Sequence, residues 1–245
     1  MALTEPQTAR TADELVRWRA AGAGSPLVLV HGLAGSWRWW RPLLPALAAE
    51  HRVHLLDLPG FGGLPWPRRF ELDHAVDWLA AWWKAAALGP IDVIGHSLGG
   101  LLGARLAARH PEAVRRLVLI APAGVPGRTP VSSALPLSLA LLRSQPRLLA
   151  LLARDAIRSG PVTIGTAALA VLAADLREDL PRIEAPTLVV MGRRDALIPV
   201  SHGEELCEAI PHARLVVLED SGHVPMDDQP DELSVELLAF LRESP

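Results

Sequence analysis

Residues 91–100 read IDVIGHSLGG, a buried-strand pattern ending in Gly95-His96-Ser97-Leu98-Gly99, and LLGARLAARH (101–110) follows with the apolar period of a helix. A strand that turns sharply into a helix leaves no room for Cβ atoms two residues to either side of the turn, and Gly95 and Gly99 meet that need. The turn pushes Ser97 out above the strand end. It also sets the serine at a helix N-terminus, where unpaired N–H groups and the helix dipole favour developing negative charge. A glycine-rich turn with an incidental serine fits the bare five residues equally; the flanking strand and helix favour a nucleophile.

Outward from this element, strand and helix alternate. PLVLV (26–30), VHLLD (53–57), LVLIA (117–121), TLVVMG (187–192) and RLVVLE (214–219) read as buried strands, with helical stretches at about 37–49, 71–87, 98–109, 201–209 and 231–242. That order describes an α/β chain with a mostly parallel sheet flanked by helices. The opening residues, about 5–20, suggest an antiparallel hairpin at one sheet edge. On the stretch 71–87, helical spacing puts Trp83 with Leu72, Val76 and Leu79 on the buried face, and Trp78 and Trp82 beside it. Residues 125–186 break the alternation. SSALPLSLALLRS (132–144), PRLLALLARDAIRS (146–159) and TIGTAALAVLAADLRED (163–179) are Leu- and Ala-rich helices in a segment too long for a loop. They are expected to form a helical cap inserted in one domain, whose core is 1–124 and 187–245.

The chain has 245 residues, with 24 Lys plus Arg against 27 Asp plus Glu, and no long like-charge run. Nothing in that balance recruits nucleic acid or an anionic membrane. Cys207 stands alone, so an internal disulfide or a cysteine zinc site is excluded. His51 and His54 are spaced H-x-x-H on an extended segment with no third ligand nearby, which is weak as a metal signal. No cofactor and no metal are expected. The first residues lack the pattern of a signal peptide and no apolar run reaches spanning length, so the expected location is the cytoplasm, with no membrane span. The sequence assigns no oligomeric state.

A serine hydroxyl is a poor nucleophile at neutral pH and needs a base, which in turn needs an orienting acid. His223, in DSGHVPMDDQP after RLVVLE, and Asp195, in GRRD after TLVVMG, fall on loops at the strand-end edge that carries Ser97. The order Ser, Asp, His is one known arrangement of a triad. His51, His54, His74, His110, His202 and His212 lie near helix or strand ends and read as surface or satisfied histidines. Asp220, Asp227 and Asp228 neighbour His223 along its own loop, from which a side chain seldom points at the ring, so Asp195 is preferred. Acyl transfer also requires donors for the oxyanion. Leu98 N–H follows the nucleophile, and Leu33 N–H follows His31-Gly32 on the loop after PLVLV, where glycine permits close approach.

With these motifs in place, the sequence resembles the α/β-hydrolase superfamily over nearly its whole length. HGLAGSWRWWRPLLPAL, DLPGFGG, GHSLGG, GRRD and GHVPMDDQP stand in the order of that family's landmarks. The resemblance implies Ser97 as nucleophile, His223 as base, Asp195 as orienting acid, Leu33 and Leu98 as oxyanion donors, and a helical cap. Gly63 stands where a serine is common and Asp228 where a glutamate is usual. Membership selects no substrate. Ser97 sets aside branches with an aspartate at the elbow, and His96 leans toward esterase-like members. Trp37 and His96 are candidates for the substrate pocket, although core packing is the plainer reading for most of Trp37, Trp39 and Trp40.

The expected activity is hydrolysis of carboxylic esters of small to medium apolar acids, the partner being a small-molecule ester. A carbon–carbon bond hydrolase or lactonase on the same triad remains open, the former if Arg143, Arg147, Arg154 and Arg158 turn inward toward a dicarboxylate. A non-catalytic receptor on the same scaffold is the third reading.

Overall fold

Each apolar run quoted above forms a strand in the computed structural model, which describes residues 3–4, 7–10, 15–64, 69–125 and 146–243. The expected hairpin is β1 (Gln7–Arg10) paired antiparallel with β2 (Leu15–Ala21). Then come β3 (Ser25–Val30), β4 (His51–Leu56), β5 (Ile91–His96), β6 (Val114–Ile120), β7 (Thr187–Gly192) and β8 (Ala213–Leu218), all mutually parallel. They make an eight-stranded sheet in the order β1-β2-β4-β3-β5-β6-β7-β8, with β2 antiparallel to β4.

The two-residue period of β3 divides its side chains between two cores. Val28 and Val30 pack in the cluster of α2 (Leu72–Ala86) and α3 (Leu98–Arg109). Leu27 and Leu29 pack on the other face with Trp40, with Leu47 of α1 (Leu44–Leu47), and with Leu237 and Phe240. Each such buried side chain contributes about 1.5–3 kcal/mol of hydrophobic stabilisation. Both faces being covered explains why β5 and β7 are buried at every residue. After β3 the chain adds β4 on one side and then crosses to place β5 on the other. At such a switch point the loops leaving the carboxyl ends diverge and open a crevice, which is where open α/β sheets bind ligands.

The helix expected at 37–49 is instead a 3₁₀ turn, Trp37–Trp40, followed by the single turn α1. Pro42 lies between them; it has no N–H to give and its ring disfavours a continuous helix. On α2 the burial differs from the expected wheel: Trp78 and Trp82 are buried, whereas Trp83 is half-buried and donates its indole N–H to Gly89 O at 2.6 Å. The helix face is rotated because Trp82 packs edge-on against both Trp18 and His54, at 5.9 and 5.8 Å between ring centroids. His54 is thus neither a surface nor a satisfied histidine. It is buried with both ring nitrogens unpartnered among the described residues, and burial pushes its pKa down to about 4.

Beyond β6, α4 (Pro146–Ser159) and α5 (Pro161–Leu172) are helical, and the third expected cap helix stops at Leu172 instead of continuing to 179. The stretch 132–144, with Arg143, lies outside the described residues. Among the described residues the remaining α-helices are α6 (Val200–Ala209), the short α7 (Pro225–Asp228) and α8 (Pro230–Arg242). Among the described residues no helix is long and apolar enough to cross a membrane.

Candidate active site

Ser97 joins β5 to α3 at φ +51°, ψ −113°, a backbone conformation that L-residues rarely adopt. The turn is held by Ser97 N–H donating to Ile120 O (3.0 Å), while Ser97 O accepts from Leu101 N (3.0 Å) and Ala123 N (3.2 Å). Glycine is obligatory around it. A Cβ on Gly95 would lie 2.3 Å from Gly99 O, and one on Gly99 would lie 2.1 Å from Val30 O.

Because β5, β7 and β8 are parallel, the loops that follow them emerge on one edge of the sheet. The last two are stitched together by Arg194 N–H donating to Ser221 O at 2.9 Å. Asp195 and His223 meet there, with Nδ1 of His223 2.8 Å from Oδ2 of Asp195. The other carboxylate oxygen of Asp195 accepts from Leu197 N (2.7 Å) and Ile198 N (2.9 Å). Burial alone would raise this carboxyl group; the adjacent imidazole and the two backbone donors outweigh it and hold the pKa below the ordinary value. An ionised Asp195 can only accept, so Nδ1 of His223 carries the proton and, in the neutral ring, Nε2 keeps its lone pair. The rival acids are engaged elsewhere: Asp220 with Arg194, Asp227 with Arg147 at 3.0 Å, and Asp228 with Gly222 N at 2.8 Å.

His96, a candidate pocket residue, lies against His223. Its Nε2 is 2.7 Å from the carbonyl oxygen of His223, and the two rings are 5.0 Å apart between centroids. A carbonyl accepts, so Nε2 of His96 bears the proton. Nδ1 is buried and unpartnered among the described residues. Burial, with His223 alongside, pushes the pKa of His96 down to about 3, so the ring is neutral and the bond to His223 persists through the neutral range. The last residue of β5 therefore ties the main chain of His223 to the elbow.

His31 does comparable work on the loop after β3. Leu58 N–H donates to its Nε2 at 3.0 Å, which leaves Nδ1 to donate to Gly32 O at 2.8 Å. This tautomer requires a neutral ring, and burial lowers the pKa of His31 accordingly. Gly32 O also accepts from Gly35 N at 3.1 Å. With that carbonyl fixed in a trans peptide, Leu33 N–H lies in the same plane and points in the opposite direction. The same loop abuts the elbow: a Cβ on Gly32 would lie 2.7 Å from Nδ1 of His96 and 3.2 Å from Cβ of Ser97. Leu98 is the first residue of α3, so its N–H is one of those left without a partner in the helix.

Trp37, the other candidate for the substrate pocket, opens the 3₁₀ turn after β3. Its ring is buried with guanidinium groups over it, Arg38 at 4.8 Å and Arg19 at 5.1 Å, and its backbone N–H donates to Asp57 at 2.9 Å. Reading the sequence missed Asp57 and Asp155 as anchors of this loop. A usable signal existed for Asp155, an acid in register with the apolar stripe of its helix.

The profile of the alpha/beta hydrolase family matches residues 27–236. The chain is 35% identical over 240 residues to a pimeloyl-(acyl-carrier protein) methyl ester esterase of Aeromonas hydrophila, covering 86% of this chain and 93% of that one. Among solved structures it is similar to a hydrolase from Pseudomonas aeruginosa (28% identity, TM-score 0.83, 97% and 98% of the two chains covered). It is also similar to the enol-lactonase from Burkholderia xenovorans (25% identity, TM-score 0.82, 97% and 100% covered). With the sheet order and the elbow already in place, this agreement over most of the sequence shows that the chain belongs to the alpha/beta hydrolase family.

Proposed function

We propose that the protein is a serine hydrolase of carboxylic esters with small to medium apolar acyl groups, with α4 and α5 of the expected cap serving as a lid over the site. Ser97 is the nucleophile, His223 its base and Asp195 the orienting acid; Leu33 and Leu98 supply the oxyanion N–H groups. The observation that carries this reading is the 2.8 Å contact of His223 with Asp195, on a histidine tied through His96 to the strained elbow of Ser97. Nε2 of His223 takes the hydroxyl proton as Oγ of Ser97 attacks the ester carbonyl, and the two N–H groups stabilise the oxyanion. The intermediate collapses with cleavage of the carbon–oxygen bond, and the alcohol leaves with the proton from His223. Water then attacks the acyl-enzyme, its proton passing to His223 and on to Oγ of Ser97 as the acid is released.

Similarity to a methyl ester esterase supports an ester with a small alcohol. Similarity to an enol-lactonase supports lactones as a second substrate class, since a lactone is a cyclic ester cleaved by the same steps. The arginines that would favour a carbon–carbon substrate lend it little support: Arg147 pairs with Asp227, and Arg154 and Arg158 are exposed.

Hydrolysis of p-nitrophenyl esters from acetate to palmitate by wild type and Ser97→Ala tests the proposal. We expect turnover with an optimum below the longest chains, reduced on the order of 10⁶-fold in folded Ser97→Ala. Unchanged turnover in that variant would refute the assignment. Absence of turnover on all esters and on lactones, with tight binding of an acyl ligand, would support the receptor reading instead.

A further inference from the structure

Asp155 is fully buried on the inward stripe of α4, with Leu148 and Ser159 also buried and Leu151 and Leu152 half-buried. An acid in such a stripe is costly, because a buried carboxylate must find donors for its oxygens. Asp155 finds one on its own behalf: Ser36 donates its hydroxyl to Oδ2 at 2.6 Å, and Oδ1 has no hydrogen-bond partner among the described residues. A leucine would pack this stripe without that cost, so helix stability does not account for the residue.

What the carboxylate grips explains it better. Ser36 lies three residues beyond Leu33 and is itself fully buried. Its Oγ also accepts from Arg38 N at 3.4 Å, opening the 3₁₀ turn. The loop 31–38 has its other anchors on the segment after β4, where Leu58 N holds His31 and Asp57 holds Trp37 N. Asp155 is an anchor reaching it from α4, 119 residues away along the chain. The same contact thus touches both a helix whose Leu151 and Leu152 pack against the core cluster of Trp37, Trp39 and Trp40 and the loop that directs Leu33 N–H.

We propose that Asp155 is a positioning residue, which through Ser36 couples the seating of α4 to the geometry of the oxyanion loop. With α4 seated, Ser36 is held and Leu33 N–H is aimed; with α4 displaced, Ser36 loses its acceptor and the loop is held from one side. Acyl transfer is thereby made conditional on closure over the substrate. In its catalytic consequence this rests on the ester-hydrolase reading above; the loop anchoring does not.

The test compares wild type with Ser36→Ala, Asp155→Ala, their double variant and Asp155→Asn, which keeps an acceptor oxygen. Two quantities are read: kcat and KM for p-nitrophenyl butyrate, and amide hydrogen exchange over residues 31–40. For Asp155→Ala we expect faster exchange in that loop, and kcat lower by about 10- to 100-fold with KM within about threefold, since donors misplaced in the transition state cost rate and not binding. The double variant should be no worse than the worse single one, because both remove one contact. Asp155→Asn should recover most of the loss. Loop exchange equal to wild type in Asp155→Ala, or additive losses in the double variant, would overturn the proposal. If wild type hydrolyses no ester or lactone, the functional reading fails by itself, and the exchange measurement still decides the anchor.

Discussion

Strand β5 carries a buried acid near its start and the elbow serine just past its end, and the two ends use buried charge differently. Asp92, fully buried, is met by Arg115 Nε at 2.9 Å and by Arg116 at 3.7 Å. Hydrogen bonding to Asp92 raises the pKa of Arg115 further, so the guanidinium keeps its charge at every ordinary pH. At the other end Asp195 is comparably enclosed, but its partner is the imidazole of His223, whose second ring nitrogen keeps a lone pair when Nδ1 bears the proton. Burial of a carboxylate marks no function by itself; what the partner can do with a proton separates the structural pair from the one proposed to react.

Substitutions at the two ends should therefore fail in different ways. Asp195→Asn should lower kcat on the order of 10⁴-fold, since the amide favours the wrong imidazole tautomer, with the fold retained. Steady-state kinetics at matched thermal stability would check this, and a near-silent effect would move the acid elsewhere. Asp92→Ala should do the reverse. It strands two arginines, one of them buried, and should cost about 3–5 kcal/mol in denaturant unfolding while kcat per folded molecule stays at the wild-type level.

His96 sharpens the contrast, being a neutral group at the end proposed to react. His96→Leu should lower kcat by about 10²-fold through a misplaced His223, and His96→Gln, which retains a donor, should recover part of the loss. Equal effects of the two variants would deny the tether to His223 O. The smallest effect is expected at His54, remote from both ends. Its folded pKa is about 4 against an unfolded value of 6.5, so the unfolded chain binds this proton first as pH falls. The stability it contributes is complete above about pH 6.5 and is lost as pH falls toward about 4, amounting to roughly 2 kcal/mol at about pH 5. Unfolding of wild type and His54→Phe from about pH 7 to pH 4 should show a shallower dependence in the variant.

Legibility followed the same division. Backbone-level features were open to reading: short β-branched runs give the strands, and Gly95, Ser97 and Gly99 state the turn because only small residues fit it. Asp195 and His223 could be named because parallel strands bring their following loops to one edge. Relations between side chains far apart in sequence were closed to it. The ring of His96 meets His223 O only after β8 has been added to the sheet, and Ser36 meets Asp155 only when α4 packs down. Periodicity also misplaced Trp83, since the wheel reports an apolar stripe but not the aromatic neighbours, Trp18 and His54, that draw Trp82 inward.

The central claim, that Ser97 is the activated nucleophile, is tested most directly by covalent trapping. Incubation with diethyl p-nitrophenyl phosphate, followed by intact-mass analysis and peptide mapping, should give one diethylphosphoryl adduct per chain on Ser97, with release of p-nitrophenolate. Asp195→Asn should slow the labelling and Ser97→Ala should abolish it. An adduct on another residue, or labelling that survives Ser97→Ala, would contradict the account.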